Sequence, residues 1–187
     1  MIQMAQEPVF SKRLSELLQG FNKRDLVALK QLGGDAAEDA FASDAPCLVE
    51  VSIAAYSLAK FLEKPYILAS AEWKDFEQTA SEIVSAALKD AQAGKAGEAC
   101  RRMHSLIQEI EALSKRLGRF TTGVVDKARI KAATQIYAHG ASLGKAAELT
   151  GASKQELSHY IGVTRLSEKY QTFGVQKRLS VAREIFK

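Results

Sequence analysis

The chain has 187 residues, 47% of them apolar and 26% charged, with a formal net charge of +4 and two cysteines. That is enough for one large domain or two small ones with a proper core, and the composition is that of an ordinary globular protein. No apolar run approaches the roughly 20 residues that span a bilayer, and the opening MIQMAQEPVFSKR has no apolar leader core or cleavage signature, so a cytoplasmic protein without membrane attachment is expected.

Only three prolines, with frequent Ala, Leu, Lys and Glu, favour helix throughout, and the expected fold class is all-α. In residues 8–21, Val9, Phe10, Leu14, Leu17, Leu18 and Phe21 form a helical stripe, with a start near Ser11 and an end near Gly20. Asn22 offers a cap for a second helix lined by Leu26, Leu29 and Leu32, which Gly33 and Gly34 are expected to terminate. Residues 35–45, DAAEDAFASDA, are acidic, small and weakly periodic, and fit a loop or a poorly anchored helical turn. Pro46 then opens a helix whose Leu48, Val51, Ala55, Leu58 and Leu62 face is widened by Ile53, Tyr56 and Phe61. A helix apolar on several sides belongs at the centre of a core. Lys64-Pro65 ends it, because the residue before proline resists the α region, and residues 66–68 fit a short extended connection.

Ser70 caps a long helix carrying Trp73, Phe76, Ala80, Ile83, Val84, Ala87, Leu88 and Ala91. After the turn at residues 94–97, a second long helix carries Cys100, Met103, Leu106, Ile107, Ile110, Leu113 and Leu117. At 1.5 Å per residue each helix would be roughly 33 Å long, and so short a turn makes them an antiparallel hairpin. The hairpin offers more apolar stripe than one small domain needs, which makes it the expected surface of a homodimer. Cys47 and Cys100 lie within apolar helical patterns and are expected to be buried, inert thiols. His104, four residues after Cys100, shares its helix face, but two ligands fall short of the four of structural zinc, and no metal or other cofactor is expected.

Residues 118–123, GRFTTG, mark the best domain boundary, separating an acidic helical dimerisation or partner-binding domain (1–117) from a basic domain (118–187). Residues 114–187 hold 14 Lys and Arg against 5 Asp and Glu, net +9, whereas residues 1–113 hold 12 against 17, net −5. A helix over residues 124–139 follows the boundary, with Val125, Ala128, Ala132 and Ile136 on one face. Then LGKAAELTGASKQELSHYIG, residues 143–162, reads as two short helices joined by a tight turn at Gly151. Ala147 stands where the two must touch, and a Cβ at Gly151 would penalise a positive φ. Ser153 and Glu156 have capping-box spacing. Leu157, Tyr160 and Ile161 fall on one face of the second helix, and Ser153, Lys154, Gln155, Ser158 and His159 on the other. This is the layout of a trihelical helix-turn-helix unit, whose second helix enters the DNA major groove, although the same geometry also occurs as a plain structural corner. Residues 163–173 fit either a helix or an extended arm, and VQKRLSVAREIFK reads as a terminal amphipathic helix.

On that layout the candidate DNA-binding residues are Lys145, Ser153, Lys154, Gln155, Ser158, His159 and Arg165, with Lys169 as a possible further backbone contact. Gln155 has the donor and acceptor for adenine, Lys154 suits guanine or phosphate, and Lys145 lies where the first short helix crosses the backbone. A basic half coinciding with this motif is the electrostatic footprint of polyanion binding. No phosphate loop, HExxH, dinucleotide fingerprint or nucleophile elbow is present, and a non-enzyme is expected.

VVDKARIKAATQIYAHGASLGKAAELTGASKQELSHYIGVT, with the later SVAREIF, resembles an archaeal group of predicted helix-turn-helix transcription regulators, most specifically in AHGASLGKAAELTGAS. SLGKAAELTGAS also resembles small antitoxin-like proteins. Thr150 departs from the pattern, standing at a usually apolar position. The resemblance implies a regulator that binds double-stranded DNA, and it is confined to residues from 124 on. The alternative is a protein-interaction module in which the helix-turn-helix is secondary; an enzyme with an unrecognised helical active site is the third reading.

Overall fold

The computed structural model describes residues 3–43, 45–118, 121 and 123–164. These form α1 (Gln3–Asn22), α2 (Leu26–Ser43), α3 (Pro46–Leu62), α4 (Pro65–Leu68), α5 (Ala71–Gln92), α6 (Ala96–Arg116), α7 (Val124–Ala138), α8 (Leu143–Thr150) and α9 (Lys154–Thr164). The fold is all-α. Twelve of the seventeen residues of α3 are buried, because α1, α2, α6, α7 and α8 all pack on it. Its Pro46 start and its end before Pro65 lie where the sequence places them. The long α5–α6 hairpin is present, its first helix capped by Ser70, whose Oγ accepts the Trp73 N–H at 3.1 Å.

Helix α2 departs most from expectation. Asp25 caps it, accepting from the backbone N–H groups of Val27 and Ala28 at 3.1 and 3.0 Å, so Asn22 belongs to α1 instead. Gly33 and Gly34 do not end it; the helix runs on to Ser43, through the stretch expected to be a loop or a poorly anchored helical turn. The reason is tertiary. Gly33 is pressed against the Tyr56 ring of α3, and its carbonyl accepts the buried Ser52 hydroxyl at 2.6 Å. Ala36, Ala37 and Ala40 continue that close seam. Asp39 and Asp35 turn back to Arg13 of α1, at 2.7 and 3.4 Å, so the acidic residues are partners of a shielded guanidinium rather than loop solvation. Gly20 likewise stays inside α1, facing Leu29, and α1 begins at Gln3 rather than near Ser11. Residues 66–68 belong to the helical turn α4 rather than an extended link, and Gly97 to the start of α6.

A Cβ built on Gly33 would stand 2.9 Å from three atoms of the Tyr56 ring. Gly33→Ala is therefore expected to destabilise the fold by about 1–3 kcal/mol through overpacking. Gly34 has only ordinary clearance there, 3.6 Å to the Tyr56 hydroxyl. Gly34→Ala should be neutral or stabilising by up to about 1 kcal/mol, from helix propensity. Denaturant unfolding of the two variants side by side separates the close-approach explanation from a general glycine effect.

Two further expectations are corrected. Cys47 and Cys100 are not free thiols: they form a disulfide joining α3 to α6, with Cα atoms 5.4 Å apart. The packing of the two helices brings together residues 53 positions apart, which no local pattern could show. Nor is the apolar stripe of the hairpin left over for a dimer. Trp73, Phe76, Ala80, Val84, Ala87, Met103, Leu106, Ile110 and Leu113 are all buried within one chain, against each other, α1 and α3.

The junction after α6 is fastened rather than loose. The Ser114 hydroxyl donates to the Thr121 carbonyl, and the Thr121 hydroxyl returns a bond to the Ser114 carbonyl at 2.7 Å. Helix α7 then lays Val125, Ala128, Ala132 and Ile136 into the core, packing on α2 and α3. The described part of the basic half thus shares one continuous core with the bundle.

Candidate nucleic-acid interface

Helices α7, α8 and α9 pack on one another as a three-helix unit at one side of the bundle. Ser142 caps α8 by accepting the Lys145 N–H at 3.1 Å, and α8 turns Ala146, Ala147 and Thr150 inward. Thr150 resolves its own departure from an apolar pattern: its hydroxyl donates to the Ala146 carbonyl at 2.8 Å and accepts the Ala152 N–H at 3.3 Å. The side chain is buried, yet its polar atom closes the helix and braces the turn. Gly151 follows in the left-handed region, φ 66°. Ser153 caps the next helix by accepting the Glu156 N–H at 3.3 Å.

Helix α9 is seated by Leu157 and Ile161, both buried, with Tyr160 half-buried beside them. That seating leaves Ser153, Lys154, Gln155, Ser158 and His159 exposed. The structure therefore brings these five candidates into one solvent-facing row. Lys145 is exposed on α8, with Glu148 4.0 Å from its ammonium. Arg165 and Lys169 lie outside the described residues, as do the ambiguous segment beyond Thr164 and the terminal amphipathic stretch.

Sequence reasoning missed Lys131. It projects from α7 over the Tyr160 ring, with its ammonium 5.1 Å from the ring centroid, and so places a cation beside the exposed row. Lys127 and Lys131 are one turn apart on α7, and both are exposed. Neither makes an ion pair among the described residues, nor does Lys154, whereas Arg129 is taken up by Asp126 and Glu111 at 3.2 and 3.3 Å. The charge is less one-sided than the half-chain sum implies, since residues 124–164 contain five Lys and Arg against three Asp and Glu. A cleft of about 500 Å³ lies away from the row, lined by Phe10, Pro46, Cys47 and the hairpin turn.

Tyr56 links this unit to the bundle. Its hydroxyl pKa is pushed up to about 12 by burial, with Asp35 and Tyr160 adding to the shift. A phenol whose folded pKa is raised keeps its proton after the unfolded chain has lost it. The stability this provides is fully present below pH 10 and is lost as pH rises toward 12. The expected loss across that window is on the order of 2 kcal/mol, because the group remains partly solvated. Unfolding of wild type and Tyr56→Phe at several alkaline pH values measures it: the wild type should fall more steeply.

Compared with family models, curated proteins and solved structures, the chain finds no match. The fold defines the class only as all-α, with the polar face of the capped helix α9 exposed beyond the turn at Gly151. Among the described residues no helix is long and apolar enough to cross a membrane.

Proposed function

We propose that the chain is a DNA-binding transcription regulator that lays α9 in the major groove of duplex DNA. The observation that carries this reading is the exposed row Ser153, Lys154, Gln155, Ser158 and His159, held on a helix whose other face is anchored by Leu157 and Ile161. Lysines on α7, α8 and α9 supply phosphate contacts, and Gln155 has the paired donor and acceptor that read a base edge. A protein of this kind works in the cytoplasm, as two copies on half-sites about one helical turn apart. A second reading, docking to a partner protein, is favoured by Val163, which is 70% exposed at the end of the same helix.

The test is duplex binding by the full chain across a salt series. The full chain is required because a cut at Gly118 would strip α7 of its packing on α2 and α3. Lys145→Ala should weaken all sequences alike and lower the salt slope by about one unit. Gln155→Ala should lose about 1–3 kcal/mol of discrimination at one base pair with little change in slope. Gly151→Val should cost about 1–3 kcal/mol of stability and abolish specific binding, because a β-branched residue is strained at φ 66°. Binding that ignores salt, or that all three substitutions leave intact, rejects the reading in favour of the partner-protein one.

A further inference from the structure

The disulfide has a second rung beside it. Cys47 and Glu50 are three residues apart on α3, and Cys100 and His104 are four apart on α6, so each pair lies on one helix face a turn apart. The disulfide shows that the first members meet across the seam, with Cα atoms 5.4 Å apart. The second members meet as well: His104 Nδ1 lies 3.0 Å from Glu50 Oε1. The disulfide and the His104–Glu50 contact are thus successive rungs of the α3–α6 interface. The other Glu50 oxygen, Oε2, is buried and has no hydrogen-bond partner among the described residues. Among the described residues no group of three or more His, Cys, Asp or Glu side chains is placed to hold a metal ion, and both sulfurs are committed to each other.

Reduction changes that inventory. A dithiol gives two electrons and two protons to the Cys47–Cys100 bond and closes to its own disulfide, leaving two protein thiols. We propose that the reduced chain binds zinc through Cys47, Cys100, His104 and Glu50, and that this site and the disulfide exclude one another. The ligand types and number are those of a closed tetrahedral zinc site. Nitrogen and oxygen ligands of such an ion lie about 3.3 Å apart, close to the separation His104 and Glu50 already have. Its two thiolates lie about 3.7 Å apart, a spread within reach of side-chain rotation across the seam. On binding, each thiol releases its proton to solvent and the ion replaces the His104–Glu50 hydrogen bond. His104 is mostly exposed, which gives the ion a path in. The inference is independent of the DNA-binding reading, since none of its four residues belongs to the α9 row.

The experiment uses the full chain, reduced with a dithiol, freed of it without air, and titrated with cobalt alone. A single equivalent should bind, with thiolate-to-cobalt charge-transfer absorption and the visible bands of a tetrahedral ion, and zinc should bleach both. The oxidised chain should show neither. His104→Ala and Glu50→Gln should each weaken binding at least about tenfold, and Cys100→Ser should remove most of the charge-transfer intensity. Circular dichroism of each variant separates lost ligation from lost fold. The proposal is overturned if the reduced chain gives no thiolate band, or if both the Glu50 and His104 variants bind like wild type. It also fails if the oxidised chain binds equally well, or if reduction melts the helices and zinc does not restore them.

Discussion

Replacing Trp73 with alanine is expected to cost about 3–5 kcal/mol, the largest loss from any single side chain considered. Trp73 is fully buried where α1, α3 and α5 converge. Its ring meets Phe21 and Phe61 edge-on, with centroids 6.0 and 6.1 Å away, and lies tilted against Phe76 at 5.5 Å. Truncation would therefore remove contacts from three elements at once and leave a cavity that rigid aromatic neighbours close poorly. The indole Nε1 has no hydrogen-bond partner among the described residues, so its burial is uncompensated. Trp73→Phe should accordingly cost far less than Trp73→Ala, since the smaller ring also removes that buried donor. Denaturant midpoints of the two variants test the argument; equal losses would show that the N–H is satisfied or that the site collapses freely.

Removing the disulfide is the second large effect. The bonded cysteines are 53 residues apart, and on the chain-entropy account a loop of that length stabilises the fold by about 4 kcal/mol, with about 2–4 typical in practice. The Cys47→Ser/Cys100→Ser protein is expected to lose that much relative to the oxidised wild type and to match the reduced, metal-free wild type. The helices should survive, because Leu48, Val51 and Ala55 of α3 and Met103 and Leu106 of α6 remain in one core. Equilibrium unfolding with and without reductant makes the comparison. If zinc binds the reduced chain, it should raise the stability of reduced wild type and leave the double-serine protein unmoved.

Much of the candidate interface was legible because a short amphipathic helix declares its faces locally. Leu157 and Ile161 recur with helical spacing, so the exposed side of α9 follows from period alone. Thr150 was legible only as an anomaly: its identity shows a hydroxyl at an inward position, but the Ala146 carbonyl that satisfies it appears only once the helix is built. Lys131 escaped because its relation to Tyr160 depends on how α7 crosses α9.

The same division runs through the fold. Pro46, Pro65, Ser70, Ser153 and Gly151 act on their own backbone or within a turn of it, so the sequence by itself determined the helical class, the long hairpin and most helix ends. Helix α2 shows where that stops. Its glycines and alanines look like a break followed by a loop when helix propensity is weighed alone. Their small size is instead what lets α2 approach α3 closely enough to bury Ser52 and pack on the half-buried Tyr56 ring, and that approach holds the helix together. Propensity differences of about 1 kcal/mol per residue are outweighed by packing that exists only in the assembled core. The Cys47–Cys100 bond, the His104–Glu50 pair and the burial of the hairpin stripe within one chain were decided in the same way. Each joins residues far apart in sequence, and only the folded chain makes them neighbours.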